Sequence, residues 1–183
     1  MATAKTGSFY LTESVVMPAA TASGTSTQGV IDLGAYVNVP TGQAVAIESV
    51  DFILQRAQPF GQNYDSMLAS NGSISFQLTD LNPGTALLRA DDHSLVASGA
   101  LNIDVANNIA SEVADFYPDN FGPAALSEAF MVVNDSLYLN SMPSAAAIGA
   151  GDVICTVRIR CRVVKLSTKD WMAIAIQSTA SDN

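Results

Sequence analysis

Side chains that carry most enzymatic chemistry are scarce in this sequence. One histidine, His93, lies in Ala90-Asp91-Asp92-His93-Ser94. Serine and aspartate are plentiful enough to draw a Ser/His/Asp arrangement on paper, yet no Gly-x-Ser-x-Gly elbow exists to present a nucleophile. The surroundings of His93 predict an exposed turn. A lone imidazole is also too little for zinc or a cupin-type metal, which need two or three imidazoles or thiolates brought together. Carboxylate pairs could perform glycoside hydrolysis. Asp91/Asp92, Asp115/Asp119 and Glu48/Asp51 are close enough in sequence, but acids on the loops of an acidic chain are normally solvated. Asp80-x-Asn82 before Pro83-Gly84 has half of a calcium loop and lacks the later bidentate glutamate, so an Asx turn is the expectation. Gly149-Ala150-Gly151 lacks the third glycine of a dinucleotide fingerprint, and no Gly-x-x-x-x-Gly-Lys occurs. No cofactor is expected.

Two cysteines and five basic residues share the last part of the chain. Cys155 and Cys161 stand six positions apart on one face of a strand pattern, about 20 Å at roughly 3.3 Å per residue. That is beyond disulfide reach, so two buried free thiols are expected. The other face carries Arg158, Arg160 and Arg162, continued by Lys165 and Lys169. Residues 153–183 hold five bases and two acids, while residues 1–152 hold three bases and fifteen acids. The arginine face is either paired with acids on adjacent strands, left to solvent, or set against an anionic partner: nucleic acid, lipid headgroups, or the acidic remainder of a neighbouring copy.

The elements that position these residues alternate with period two. Phe9, Leu11, Glu13 and Val15 open the first strand, closed by Met17-Pro18, and residues 19–28 read as a flexible loop. Ile31, Leu33, Ala35 and Val37 follow. Val45 and Ile47 then give way to Val50, Phe52 and Leu54, a phase shift at Glu48 and Ser49 that predicts a bulge. Ser73–Thr79 is a clear strand. Asp104 is placed to cap a helix bearing Val105, Ile109, Val113 and Phe116 and stopped by Pro118. Residues 130–133 and 137–139 flank Asn134-Asp135 as a hairpin. The longest strand covers residues 153–164. Residues 171–176 fit a strand or a helix capped by Ser167, and a short tail is expected from about 177.

Strands without regularly interspersed helices predict an all-β fold: an antiparallel β-sandwich, jelly-roll-like, with one short helix, as a single domain over residues 1–183. The chain has 183 residues, 49% of them apolar and only 14% charged, with a mean hydropathy of +0.26. A disordered chain is excluded. Apolar runs are too short for a membrane span, and the opening residues have no signal-peptide core. Seventeen acids against eight bases, net −9, disfavour wrapping of nucleic acid, and no basic N-terminal arm is present. With so few charges the surface must be Ser, Thr, Asn, Gly and Ala, which suits contact with other protein.

Taken together, the strand content, the long Ser/Thr/Ala/Gly loops, the low charge and the Val157-Arg158-Ile159-Arg160-Cys161-Arg162-Val163-Val164-Lys165 strand resemble a viral coat protein of the single jelly-roll kind. Gly29–Leu33 and Ile47–Phe52 are similar in style to the early strands of small-virus coats. The resemblance implies a non-enzymatic structural subunit of a capsid or similar shell that acts by self-assembly in a virion formed in the host cytoplasm. Its partners would be copies of itself, with a second shell protein or an internal membrane as further contacts. Arg158, Arg160, Arg162, Lys165 and Lys169 would form the contact with a subunit or anionic partner. The alternative is a sandwich-type module for carbohydrate or a cell surface, with Tyr36, Tyr64 and Tyr117 as stacking rings. A hydrolase using a carboxylate pair comes third.

Overall fold

A computed structural model describes residues 2–57, 64–114 and 129–179. Among them ten strands form two antiparallel sheets. The first sheet contains β1 (Thr3–Ala4), β2 (Phe9–Met17), β4 (Gln43–Arg56), β8 (Phe130–Val132) and β10 (Val153–Lys165). The second contains β3 (Thr27–Asp32), β5 (Gly72–Thr79), β6 (Leu95–Asp104), β7 (Ile109–Ala114) and β9 (Ser136–Ser144). In the first sheet β10 is central: β1 and β2 pair along one side of it, β4 along the other, and β8 follows β4. The second runs β3-β9-β5-β6-β7. The chain changes sheet at β2–β3, β3–β4, β4–β5, β7–β8, β8–β9 and β9–β10. This is the jelly-roll order.

The side-chain alternation explains the layering. Val153, Cys155, Val157, Ile159 and Cys161 on β10 are buried against Ile74, Leu78, Leu137 and Leu139 of the other sheet. Phe52 and Phe76 meet between the sheets with ring centroids 4.8 Å apart. Gly99 makes room for that ring: a Cβ there would lie 2.5 Å from the Phe76 edge. Near the ends of β4 and β10 both faces are buried, because α1 (Thr168–Thr179) covers the outer side. Trp171, Ile174 and Ala175 pack there on Ala44, Ala46, Val164 and Leu166.

Several sequence expectations change. The predicted helix after Asp104 is a hairpin: β6 ends at Asp104, a turn covers residues 105–108, and β7 returns with Asp104 paired to Ile109. Asp104 still caps, but as a turn former, accepting from the Asn107 amide at 3.2 Å. Phe116 and Pro118 lie outside the described residues. The predicted hairpin at Asn134-Asp135 is a crossover, since β8 pairs with β4 whereas β9 pairs with β3 and β5. Asn134 does not close a turn between two neighbours. It donates to the Asp80 carbonyl at 3.0 Å across the sandwich end. The open choice at residues 171–176 falls to helix, with the Ser167 hydroxyl accepting from the Asp170 amide at 3.2 Å, and the helix continues through residues 177–179. Within the segment read as a loop at 19–28, Thr27 and Gln28 already belong to β3. The Gly24 amide is bound to Pro143 O and Ala20 to Gly149 O.

Cys155 and Cys161 are free and buried. Burial pushes both thiols up to about 12, so almost no thiolate, the reactive species, exists at neutral pH. Iodoacetamide at pH 8 is therefore expected to leave both unmodified in the native protein and to label both after denaturation without reductant. Rapid native labelling would show that the β10 core opens readily.

Candidate functional site

The bulge read from the sequence is present and sets the geometry of the arginine face. Arg160 pairs with Ser49 and Cys161 with Ile47, so Glu48 is the extra residue of β4. A bulged residue escapes strict alternation, and Glu48 lies among the guanidinium groups of β10. One carboxylate oxygen meets Nε and Nη2 of Arg162. The other accepts from Arg160 Nε at 3.0 Å and from the Ser8 hydroxyl at 2.9 Å. The glutamate side chain is only 3% exposed, against 20% for Arg162 and 40% for Arg160. Two of the three arginines are thus held by an acid of the same chain.

Arg158 differs. It is exposed, faces Asp51 and Thr12 in register, and lies 5.4 Å over the ring of Tyr10. Tyr10 is itself 56% exposed. Lys165, opposite Gln43 and Thr3, and Lys169 in the first turn of α1 are also exposed. The five basic residues therefore divide into two that share one carboxylate and three cations open to solvent. Reversal of Arg160 would set a second carboxylate against buried Glu48, whereas reversal of Arg158 sets one only beside exposed Asp51, so of the three arginines Arg158 can be reversed with least damage to the fold.

The candidate catalytic groups do not converge. His93 is in an exposed turn. The Asp92 carboxylate accepts from the Ser94 hydroxyl at 2.6 Å and the Ser94 amide at 2.9 Å. These bonds, led by the hydroxyl, hold it below the usual carboxylate range, which suits a turn and not a proton donor. Glu48 is engaged by arginine, and Asp115/Asp119 lie outside the described residues. Asn82 accepts from the Gly84 amide at 2.9 Å as an Asx turn. Among the described residues no three His, Cys, Asp or Glu side chains are grouped to hold a metal. None of their helices is long and apolar enough to cross a membrane. Tyr36 is tilted against Phe9 at 5.2 Å and packs on the core, Tyr64 lines a cleft on another part of the surface, and Tyr117 lies outside the described residues.

Two polar groups whose burial the sequence did not signal stand out. Asp80, just past β5, is 2% exposed, with one carboxylate oxygen lacking a partner and the other 3.4 Å from Asn134 Nδ2. Arg56, at the end of β4, has a buried Nε without an acceptor. The Asp80-x-Asn82 pattern marked a turn but not the burial of Asp80, which comes with the distant Asn134, and no motif or spacing marks Arg56.

No family model matches the chain, and no curated protein matches it. Among solved structures it is similar to the VP1 pentamer of human polyomavirus 6, at 10% identity and a TM-score of 0.41, over 87% of this chain and 95% of that one. It is also similar to the virus-like particle of Macrobrachium rosenbergii extra small virus, at 11% identity and a TM-score of 0.29, over 88% and 82%. Turnip yellow mosaic virus matches at 9% identity and a TM-score of 0.29, over 88% and 95%.

Proposed function

We propose that this chain is a structural subunit of a virus capsid or a similar shell, acting by self-association and not by catalysis. The observation that supports this reading most is where the exposed apolar side chains fall. Tyr10 and Val16 lie on β2, Val30 on β3, Ile109 on β7, and Met172 and Ile176 on α1, each more than 40% exposed. They occupy the rims and outer faces of both sheets and the outside of the helix. A closed shell needs several separate contacts per subunit, and a small-ligand module needs one concave site. Arg158, Lys165 and Lys169 supply cations beside these patches, and the acidic remainder of a second copy is the complementary surface in this reading. The virion is its setting; a second shell protein and peripheral membrane contact are compatible further partners.

Light scattering and negative-stain microscopy test this directly, with closed particles or defined oligomers expected. Arg158→Glu is expected to keep the circular dichroism of the fold while reducing assembly several-fold, most strongly at low salt, where screening over about 10 Å is weakest. A strict monomer at high concentration across salt and pH would overturn the shell reading. Wild-type assembly by the variant at every ionic strength would remove Arg158 from the contact.

A further inference from the structure

Helix α1 is held to the sandwich by one face. It follows β10 after Leu166 and Ser167, and Trp171, Ile174 and Ala175 pack on a cluster that includes Ala44, Val133 and Val164. Met172 and Ile176 on its other side are exposed. Beside its C-terminal half lies a cleft of about 210 Å³, lined by Ile174 and Gln177 of the helix and by Asp80, His93, Phe130 and Met131 of the body. The body walls are fixed: β8 is paired with β4, and the Asp80 amide is bonded to Ser94 O at 2.9 Å. The helix is the wall that can move with least disruption.

Asp80 is buried in this corner with one carboxylate oxygen unpartnered and the other 3.4 Å from Asn134 Nδ2. Its backbone is pinned on both sides, since its carbonyl also accepts from Asn134 at 3.0 Å, so the side chain cannot swing out to water alone. The groups around it are a poor setting for a charge. Asp92, from the turn before β6, repels it. His93, of the same turn, is the other ionisable side chain among the described lining residues, and β8 and α1 contribute the neutral Phe130, Met131, Ile174 and Gln177. The last turn of α1 has no basic residue, and a helix C-terminus is the negative end of the peptide dipole. Burial above all, with the Asp92 charge, raises the Asp80 carboxyl to about 7.

We propose that ionisation of Asp80 releases the C-terminal half of α1 from the sandwich, so that the helix is docked in mild acid and opens in mild alkali. The proposal stands independently of shell formation. Release hydrates the carboxylate and returns it to its ordinary value near 3.8. The docked form therefore holds a proton that the open form has lost, and the opening constant climbs as pH rises towards 7 and levels off above it. Linkage sets the climb at about tenfold between pH 6 and pH 8. Hydrogen exchange of the amides of residues 174–177, corrected for the intrinsic pH dependence of exchange, reads this constant directly. A tenfold loss of protection is expected there, with the β10 amides unchanged. Asp80→Asn should make protection of the helix flat with pH, whereas His93→Gln should leave the climb in place. Gln177→Lys, at an exposed position, supplies the missing cation and should reduce the climb several-fold, which keeps the test decisive if Asp80→Asn folds poorly. Flat protection in the wild type, an equal loss in β10, an undiminished climb in Asp80→Asn or Gln177→Lys, or its disappearance in His93→Gln would each overturn the proposal.

Discussion

Glu48→Ala is expected to lower the unfolding free energy by about 3 kcal/mol, at the low end of the cost of breaking a buried ion pair, because both arginines retain some water. The loss is mostly the charge left behind. The carboxylate serves Arg160, Arg162 and Ser8 at once, and without it two guanidinium groups on alternate positions of one strand face each other unscreened. Urea unfolding at pH 7 measures it, and a loss below about 1 kcal/mol would assign the triad the small value of an exposed pair. Truncating the arginines together with the acid separates the two contributions. Glu48→Leu with Arg160→Met and Arg162→Met should recover most of the stability, since apolar replacement of a whole buried ionic group is often neutral or better. Failure of the triple variant to recover would mean that the bulge itself needs the charges.

The second large effect is a pH dependence at Asp80. Burial, opposed by a bond from its own backbone and reinforced by the nearby Asp92 charge, raises this carboxyl to about 7. In the unfolded chain it titrates near 3.8. Between those values the native state holds a proton that the unfolded state has released. The stabilisation is therefore complete below about pH 4, declines as pH rises and is gone above pH 7. The full difference corresponds to a few kcal/mol at about 1.4 kcal/mol per unit. Asp80→Asn keeps the shape and removes the charge, so it should stabilise the protein at pH 8, change little at pH 4, and flatten the profile between them. An unchanged slope in the variant would show that Asp80 ionises freely in the folded protein.

Much of the wall was legible because burial and alternation coincide there. β10 buries alternate residues against the facing sheet over most of its length, β5 does so from Ser73 to Phe76 before both its faces are covered, and the phase shift at Glu48 betrayed the bulge without any structure. The region after Asp104 misled because Val105, Ile109 and Val113 repeat at intervals of four, which period alone cannot distinguish from a hairpin whose turn falls between the first two. β6 went unseen: Ala97, Gly99 and Ala100 carry little hydrophobic signal, although Gly99 is required by the Phe76 ring. The hairpin at Asn134-Asp135 misled for another reason. A short polar link between apolar runs also serves a chain that changes sheets, and only the distant Asp80 reveals which occurs. At the arginine face the cations were evident, whereas their partner was not. Pairing across strands more than a hundred residues apart in sequence leaves no local trace, and the same holds for the isolation of Arg56.

The central place of β10 in the first sheet also orders events during synthesis. β2 and β4 do not pair with each other; each pairs with β10, and Thr3 finds its partner only in Lys165. β10 is made after every other described strand. Until then the second sheet can grow through its β5–β6–β7 hairpins, while β2 and the other edge of β4 lack their partner. Closure must wait for β10, and such distant pairing is intrinsically slow. The nascent polypeptide thus exposes adhesive strands until β10 emerges, so a crowded polysome is where premature association between copies is most favoured.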